Sequence, residues 1–154
     1  LADVFSAVGN TRLITLRTIP KKEGIMANVH VKLELTNPTG SLKDRIYHEM
    51  ITKAIERGDL KPGMEILEAS TGNAGIACTF IGTTLGYQVT IVLPEGMSQE
   101  RMKIIRAYGG RTVNTPGGES DVDLCLEKIR EMREKNPGKY WEPGQFSNQD
   151  NIMA

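Results

Sequence analysis

"MEILEASTGNAGIACTFIGTTLGYQVTIVLP", Met64 to Pro94, decides the fold of this chain. It opens on a strand, MEILEA (Met64 to Ala69), and passes through a loop of small and hydroxylated residues. A helix follows from about Asn73 to Leu85, and Gly86 ends it. QVTIVLP (Gln88 to Pro94) is then a nearly continuous apolar strand that Pro94 stops. Strand, helix and strand joined by short connections make the unit of a parallel sheet with a crossover helix.

Working outward, the pattern repeats on the C-terminal side. Ser98 caps a helix to about Tyr108, with Gly109-Gly110 behind it and Met102, Ile105 and Tyr108 as its core members. Its Arg101, Lys103 and Arg106 read as a solvated face. RTVNT (Arg111 to Thr115) is a short strand, and a long helix runs from about Ser120 to Lys135. Val122, Cys125, Leu126, Ile129 and Met132 share one side of that helix. KYWEPG gives a last short strand, and NQDNIMA has the grammar of a helix beginning. On the N-terminal side, RLITL (Arg12 to Leu16) and NVHVKLEL (Asn28 to Leu35) read as strands, the second alternating at Val29, Val31, Leu33 and Leu35. A helix from about Leu42 to Arg57 follows, closed by Gly58. The expected fold class is α/β, a parallel twisted sheet with crossover helices. The two N-terminal strands have no obvious parallel partners nearby. Leu1 is no start methionine and the last helix stops in its first turn, so the expectation is the first part of something longer.

Composition narrows the function classes. The 154 residues hold 39% hydrophobic and 25% charged side chains, as a globular domain does. Lysine plus arginine and aspartate plus glutamate stand at 19 each, so there is no electrostatic footprint for nucleic acid or an anionic membrane. Three Phe, four Tyr and one Trp offer little for base stacking. No apolar run approaches the roughly 18 residues of a membrane span. Cys78 and Cys125 lie in helices read as amphipathic, without a C-x-x-C partner, and are expected to be reduced and buried in a cytoplasmic protein. His30 and His48 have no Cys, Asp or Glu at ligand spacing, so no metal site is expected.

In open α/β sheets ligands bind on the loops at the carboxyl ends of the strands. One such loop is STGNAG, Ser70 to Gly75. Free backbone amides at a helix start form an anion site, and Gly72 lets a ligand approach the backbone closely. The same loop also reads as an ordinary turn capped by Asn73 or Ser70. It is neither G-x-G-x-x-G nor a Walker loop, so no dinucleotide or nucleoside triphosphate is indicated. A second loop, QFSNQDN, gathers the neutral donors Gln145, Asn148, Gln149 and Asn151, a group that suits capping as well as binding.

A third stretch, NPTGSLKDR (Asn37 to Arg45), reads as turn, cap and helix. Pro38 and Gly40 mark the turn, and Ser41 with Asp44 completes a capping pattern. Lys43 then falls in the first helical turn, beside the positive pole of the macrodipole, where a cation is unwelcome. A lysine that works uncharged is a nucleophile toward aldehydes and can serve as a general base. A surface lysine that reaches into solvent fits the same position.

Together, NPTGSLKDR, EASTGNAGIA, GYQVTIVLPEGMSQERMKIIRAYGGRTVNTPG and PGQFSNQDN resemble the cysteine synthase and cystathionine β-synthase family, pyridoxal-phosphate enzymes of fold type II. The likeness runs in order from VGNTRLITL to the final NQDNIMA. It implies that Lys43 bonds to the cofactor aldehyde and later moves the substrate's Cα proton. Asn73 would hydrogen-bond the cofactor's phenolic oxygen. Ser70, Thr71, Gly72 and Asn73 would hold the substrate carboxylate, with Gln145 as its second contact. The implied reaction is β-replacement on an O-activated serine by sulfide or a thiol, in a homodimer when full length. Residues 1–41 would be strands of a large domain, 42–146 the small α/β domain, and 147–154 the start of a helix leading onward. The family's later glycine-rich phosphate loop has no counterpart here, since PGGESD (Pro116 to Asp121) is too short, so weak cofactor binding by this piece alone is expected. Two rivals stand beside this reading. One is a non-catalytic domain that binds a small carboxylate or a partner chain. The other is a dehydratase or threonine synthase of the same fold.

Overall fold

A computed structural model describes residues 3–154. Its elements in chain order are β1 (Leu13–Leu16), α1 (Thr18–Lys22), β2 (Val29–Lys32), α2 (Lys43–Arg57), β3 (Glu65–Ala69) and α3 (Asn73–Thr84). They continue as β4 (Gln88–Pro94), α4 (Gln99–Ala107), β5 (Arg111–Thr115), α5 (Val122–Lys135) and β6 (Tyr140–Trp141), with 3-10 turns at Val4–Ala7, Glu34–Thr36 and Gln149–Met153. β3 to β6 form one parallel sheet in the order β5-β4-β3-β6, with Ile66 opposite Val89 and Val92 opposite Val113. The α/β expectation holds.

The strands sort their side chains by alternation. Ile66 and Ile91 join a core with α2, α3 and α4, whereas Leu67 and Val92 join a second core with Cys125 and Ile129 of α5. Three helices therefore cover one face of the sheet and α5 covers the other. α3 sits directly on the sheet: a Cβ on Gly82 would lie 2.6 Å from Val89 Cγ2 and 2.9 Å from Ile66 Cδ1. α2 packs on its outer side. Ala74 through Thr79, Ile81 and Gly82 are consequently all buried, so α3 is not the amphipathic helix expected around Cys78. Its hydroxyls are satisfied locally, as where Thr79 donates to the Gly75 carbonyl at 2.7 Å.

β1 and β2 pair with each other, antiparallel, with Ile14 opposite Val31. The second strand is shorter than its alternation suggested. It stops at Lys32, the chain turns at Glu34–Thr36, and Leu35 is exposed. The cause is the Glu34 carboxylate. It accepts from Arg45 Nε and Nη2, each at 2.9 Å, from the Thr11 hydroxyl at 2.6 Å and from Asn37 Nδ2 at 2.8 Å. Four donors on one carboxylate outweigh the strand preference of the two leucines. The first turns of the chain, including α1, carry too few residues for helical periodicity to show. In α4, Ile105 is buried, but Tyr108 lies at the surface edge-on to Phe80 with centroids 5.4 Å apart.

Candidate active site

β4 and β5 follow β3 on one side of the sheet, and β6 lies on the other. The topological switch point therefore falls between β3 and β6, where a crevice opens outside the strand ends. The loop leaving β3 carries Ser70, Thr71 and Gly72, and the segment beyond β6 carries Gln145. Lys43, Ser70, Thr71, Gly72, Asn73 and Gln145 line one cavity of about 220 Å³. Val122 and the exposed Phe146 complete its wall. Larger hollows of about 530 Å³ beside Arg130 and Tyr140 and about 580 Å³ beside Arg17 and Lys21 lie away from this crevice. Neither takes residues from the loops that leave β3 and β6.

The β3–α3 loop is held from within and from outside. Ser70 Oγ accepts the Gly75 amide at 2.7 Å and the Gly72 amide at 3.2 Å, so the serine braces the turn. Its own proton meets only the Gly72 carbonyl, at 3.4 Å, and remains available to a ligand. Gly75 permits this closeness, because a Cβ there would stand 3.0 Å from Ile91 Cγ2 and 3.2 Å from Ser70 Cβ. Outside the loop, Arg101 Nη1 donates to the Thr71 carbonyl at 2.9 Å and stands 3.6 Å from Glu119. Arg101 is thus a loop brace and not simply part of a solvated face. Among the described residues, the amides of Thr71, Asn73 and Ala74 have no acceptor within the chain. A Cβ on Gly72 would meet nothing within 4 Å, so the space over this backbone is left open. Unpaired amides at a helix start, under an open backbone, form an anion cradle.

Lys43 is the first residue of α2 and is half-buried. Its backbone amide donates to Ser41 Oγ at 3.2 Å. Asp44 does not close the expected box with Ser41. Its buried carboxylate accepts from the Thr39 amide at 2.7 Å and from the Thr39 hydroxyl. Gly40, at φ +81°, turns the chain so that Thr39 faces Asp44. Burial pushes the Asp44 carboxyl up, and the two Thr39 bonds work against that. The Lys43 amine has no hydrogen-bond or ion-pair partner among the described residues, although it borders the cavity. Of the neutral amides beyond β6, Asn148 and Asn151 serve the backbone. Asn148 bonds the Pro143 carbonyl and the Asp150 amide, and Asn151 bonds the Gln145 carbonyl at 2.6 Å. Gln145 lines the cavity.

Two residues of this framework were not read from the sequence as part of the site. One is Arg101. The other is Glu68, buried near the end of β3, with Oε1 on the Ala69 amide at 2.9 Å and Oε2 receiving the Tyr47 hydroxyl at 3.0 Å. Burial raises its pKa to about 8, against the Tyr47 and Ala69 bonds that lower it; the charge of Glu142 adds to the rise. An acid between Leu67 and Ala69, within the strand, was the available signal.

Residues 4–154 match the model of the family described as pyridoxal-phosphate dependent enzyme. The chain is 40% identical over 149 residues to a cysteine synthase of Staphylococcus aureus, covering 97% of the chain and 46% of that protein. It is 42% identical over 116 residues to a cystathionine β-synthase of Apis mellifera, covering 75% of the chain and 23% of that protein. The crystal structure of a cysteine synthase from Entamoeba histolytica superposes with a TM-score of 0.89 at 38% identity, over 97% of this chain and 45% of that one. The chain spans about half the length of the cysteine synthases it matches. It belongs to the pyridoxal-phosphate dependent enzyme family, alongside the cysteine synthases and cystathionine β-synthases.

Proposed function

We propose that this chain supplies the lysine and carboxylate side of a pyridoxal-phosphate site for β-replacement on an O-activated serine by sulfide or a thiol. The observation that carries the reading is the meeting of Lys43, the unpaired amides of Thr71, Asn73 and Ala74, and Gln145 around one cavity. The donor set fits the group. An unpaired amine faces a space bordered by hydrogen-bond donors, and no acidic side chain lines that cavity to repel an anion. Lys43 and Asn73 would hold the cofactor. When bound, pyridoxal phosphate supplies an aldehyde that an amine can engage and an electron sink for a carbanion at the substrate Cα.

The chain's own residues do the rest. The amides at the start of α3, the Ser70 and Thr71 hydroxyls and Gln145 receive the substrate carboxylate and orient the amino acid. Lys43 Nζ takes the Cα proton and returns it, acting as base and then acid. Val122 and Phe146 add apolar surface to the cavity wall. At about 220 Å³ the cavity suits an amino acid, whereas sites for larger ligands run to roughly 300–1,000 Å³. We therefore propose weak cofactor binding by this chain alone. Residues 42–146 act as the small domain in this reading, residues 1–41 as strands of a larger one, and 147–154 as the start of a connecting helix; Leu1 and Ala2 lie outside the described residues. The full-length protein acts as a homodimer. The buried, unpaired thiols of Cys78 and Cys125 suit the cytoplasm.

The test is titration with pyridoxal phosphate, borohydride reduction and peptide mapping. A pyridoxyl group on the Lys43 peptide, lost in Lys43→Ala, supports the reading. Labelling scattered over the surface lysines, unchanged in that variant, overturns it.

A further inference from the structure

Glu68 spans the two halves of the site. Its Oε1 accepts the amide of Ala69, the residue before Ser70. Its Oε2 binds Tyr47, which stands four residues beyond Lys43 and so one turn further along the same face of α2. One carboxyl thus ties the loop with the free amides to the helix with the amine. Tyr47 is fully buried, so a shift at its hydroxyl moves α2 and does not dissipate in solvent. The titratable groups around Glu68 are Tyr47 of α2, Cys78 of α3 and Glu142 beyond β6, and none is a cation. Glu68 also lines a hollow of about 140 Å³ with Glu142 and Gln145, bounded on the α5 side by the apolar Val122 and Leu126.

We propose that Glu68 is a positioning residue: as a neutral acid it sets the spacing between Lys43 and the carboxylate cradle, and on losing its proton it lets that spacing relax. The proposal rests on the reading of Lys43 and Ser70 to Asn73 as an active site. In the neutral state Oε1 keeps the Ala69 amide and Oε2 keeps the Tyr47 hydroxyl. An anion at the same place has only two donors and faces the like charge of Glu142, too little to replace water. The adjoining hollow gives it a wet alternative, reached by leaving Ala69 and Tyr47. Burial that holds the carboxyl near 8 places this change just above neutral pH.

The test applies the labelling of Lys43 by pyridoxal phosphate and borohydride to the whole chain, its Glu68→Gln and Glu68→Ala forms, between about pH 6 and 9, with urea unfolding of each. Glutamine keeps the neutral shape, so Glu68→Gln labels like the parent at neutral pH. Titration of Lys43 itself cancels in the ratio of parent to Glu68→Gln, and that ratio falls as pH passes about 8. Glu68→Ala loses about tenfold or more of the Lys43 labelling while remaining folded, as a misplaced reacting group does. A ratio flat across the range overturns the proposal, and so does parent-like labelling of folded Glu68→Ala. If Glu68→Ala does not fold, the Glu68→Gln ratio decides alone. Absence of Lys43 labelling in the parent brings down the active-site reading and the positioning role together. Lys43 labelling indifferent to Glu68 brings down only the second.

Discussion

Replacing Glu34 by Gln tests what seats the helix of Lys43 on the N-terminal strands. The bond to Arg45 is the main reason the Glu34 carboxyl sits at about 2 instead of the ordinary 4.5, with Thr11 helping and burial opposing. A carboxyl with a depressed pKa contributes stability above its unfolded value and loses it as pH falls through the folded one. Two and a half units would amount to about 3 kcal/mol without screening. Glu34 keeps 22% of its side chain in water and Arg45 29%, so solvent reduces the expected contribution to roughly 1–2 kcal/mol. Urea unfolding of parent and Glu34→Gln should show that deficit at neutral pH. The deficit should shrink from about pH 4.5 downward and vanish below about 2, as the parent's carboxylate itself becomes protonated. Other carboxylates titrate in both proteins and cancel in the difference. Equal stabilities at neutral pH, or a deficit unchanged in acid, would refute the assignment of this network as the clamp between residues 9–37 and α2.

Gly82→Ala should destabilise the chain by about 1–2 kcal/mol in urea unfolding, because overpacking against Val89 and Ile66 exceeds the gain in helix propensity. Adding Ile66→Val, which removes the Ile66 Cδ1 methyl, should recover part of that loss; a neutral Gly82→Ala would mean that α3 does not lie on the sheet as described. Arg101→Met should leave stability within about 0.5 kcal/mol, since the side chain is over a third exposed and its ion pair with Glu119 is long, at 3.6 Å. It should nevertheless weaken the protection of Lys43 from labelling by a small amino acid, and unchanged protection would show that the Thr71 carbonyl needs no brace. The thiol of Cys78 is pushed well up by burial and then by the charge of Glu68, so iodoacetamide should modify it only as fast as the chain opens. Rapid alkylation in native buffer would place it elsewhere.

The parts of this protein legible in its sequence are those set by short-range chemistry. Periodicity and glycine punctuation located β3 to β5 and α2 to α5 to within a residue or two, because apolar alternation and helix ends are local properties, whereas β6 keeps only Tyr140 and Trp141 of KYWEPG. The residues that line the cavity were legible for the same reason: STGNAG and QFSN are loops at strand ends, and strand ends are where such sheets bind. What escaped depends on partners distant in the chain. NVHVKLEL alternates as a strand should, yet Arg45 and Thr11 capture Glu34 and bend it, and neither could be paired with it from the sequence. α3, NAGIACTFIGTT, is small or apolar on every side, the mark of a buried helix, so the amphipathic reading passed over a local signal that α2 then explains. Arg101 looked like one charge on a wet face because its acceptor, the Thr71 carbonyl, lies 30 residues back. Glu68 is the most instructive. A buried acid in a strand is anomalous from the sequence alone, but its meaning requires Tyr47 at its other oxygen. Sequence thus names the groups that line the cavity, because loops display them. It conceals the groups that hold those groups in place, because bracing is a relation between elements and appears only when the fold brings them together.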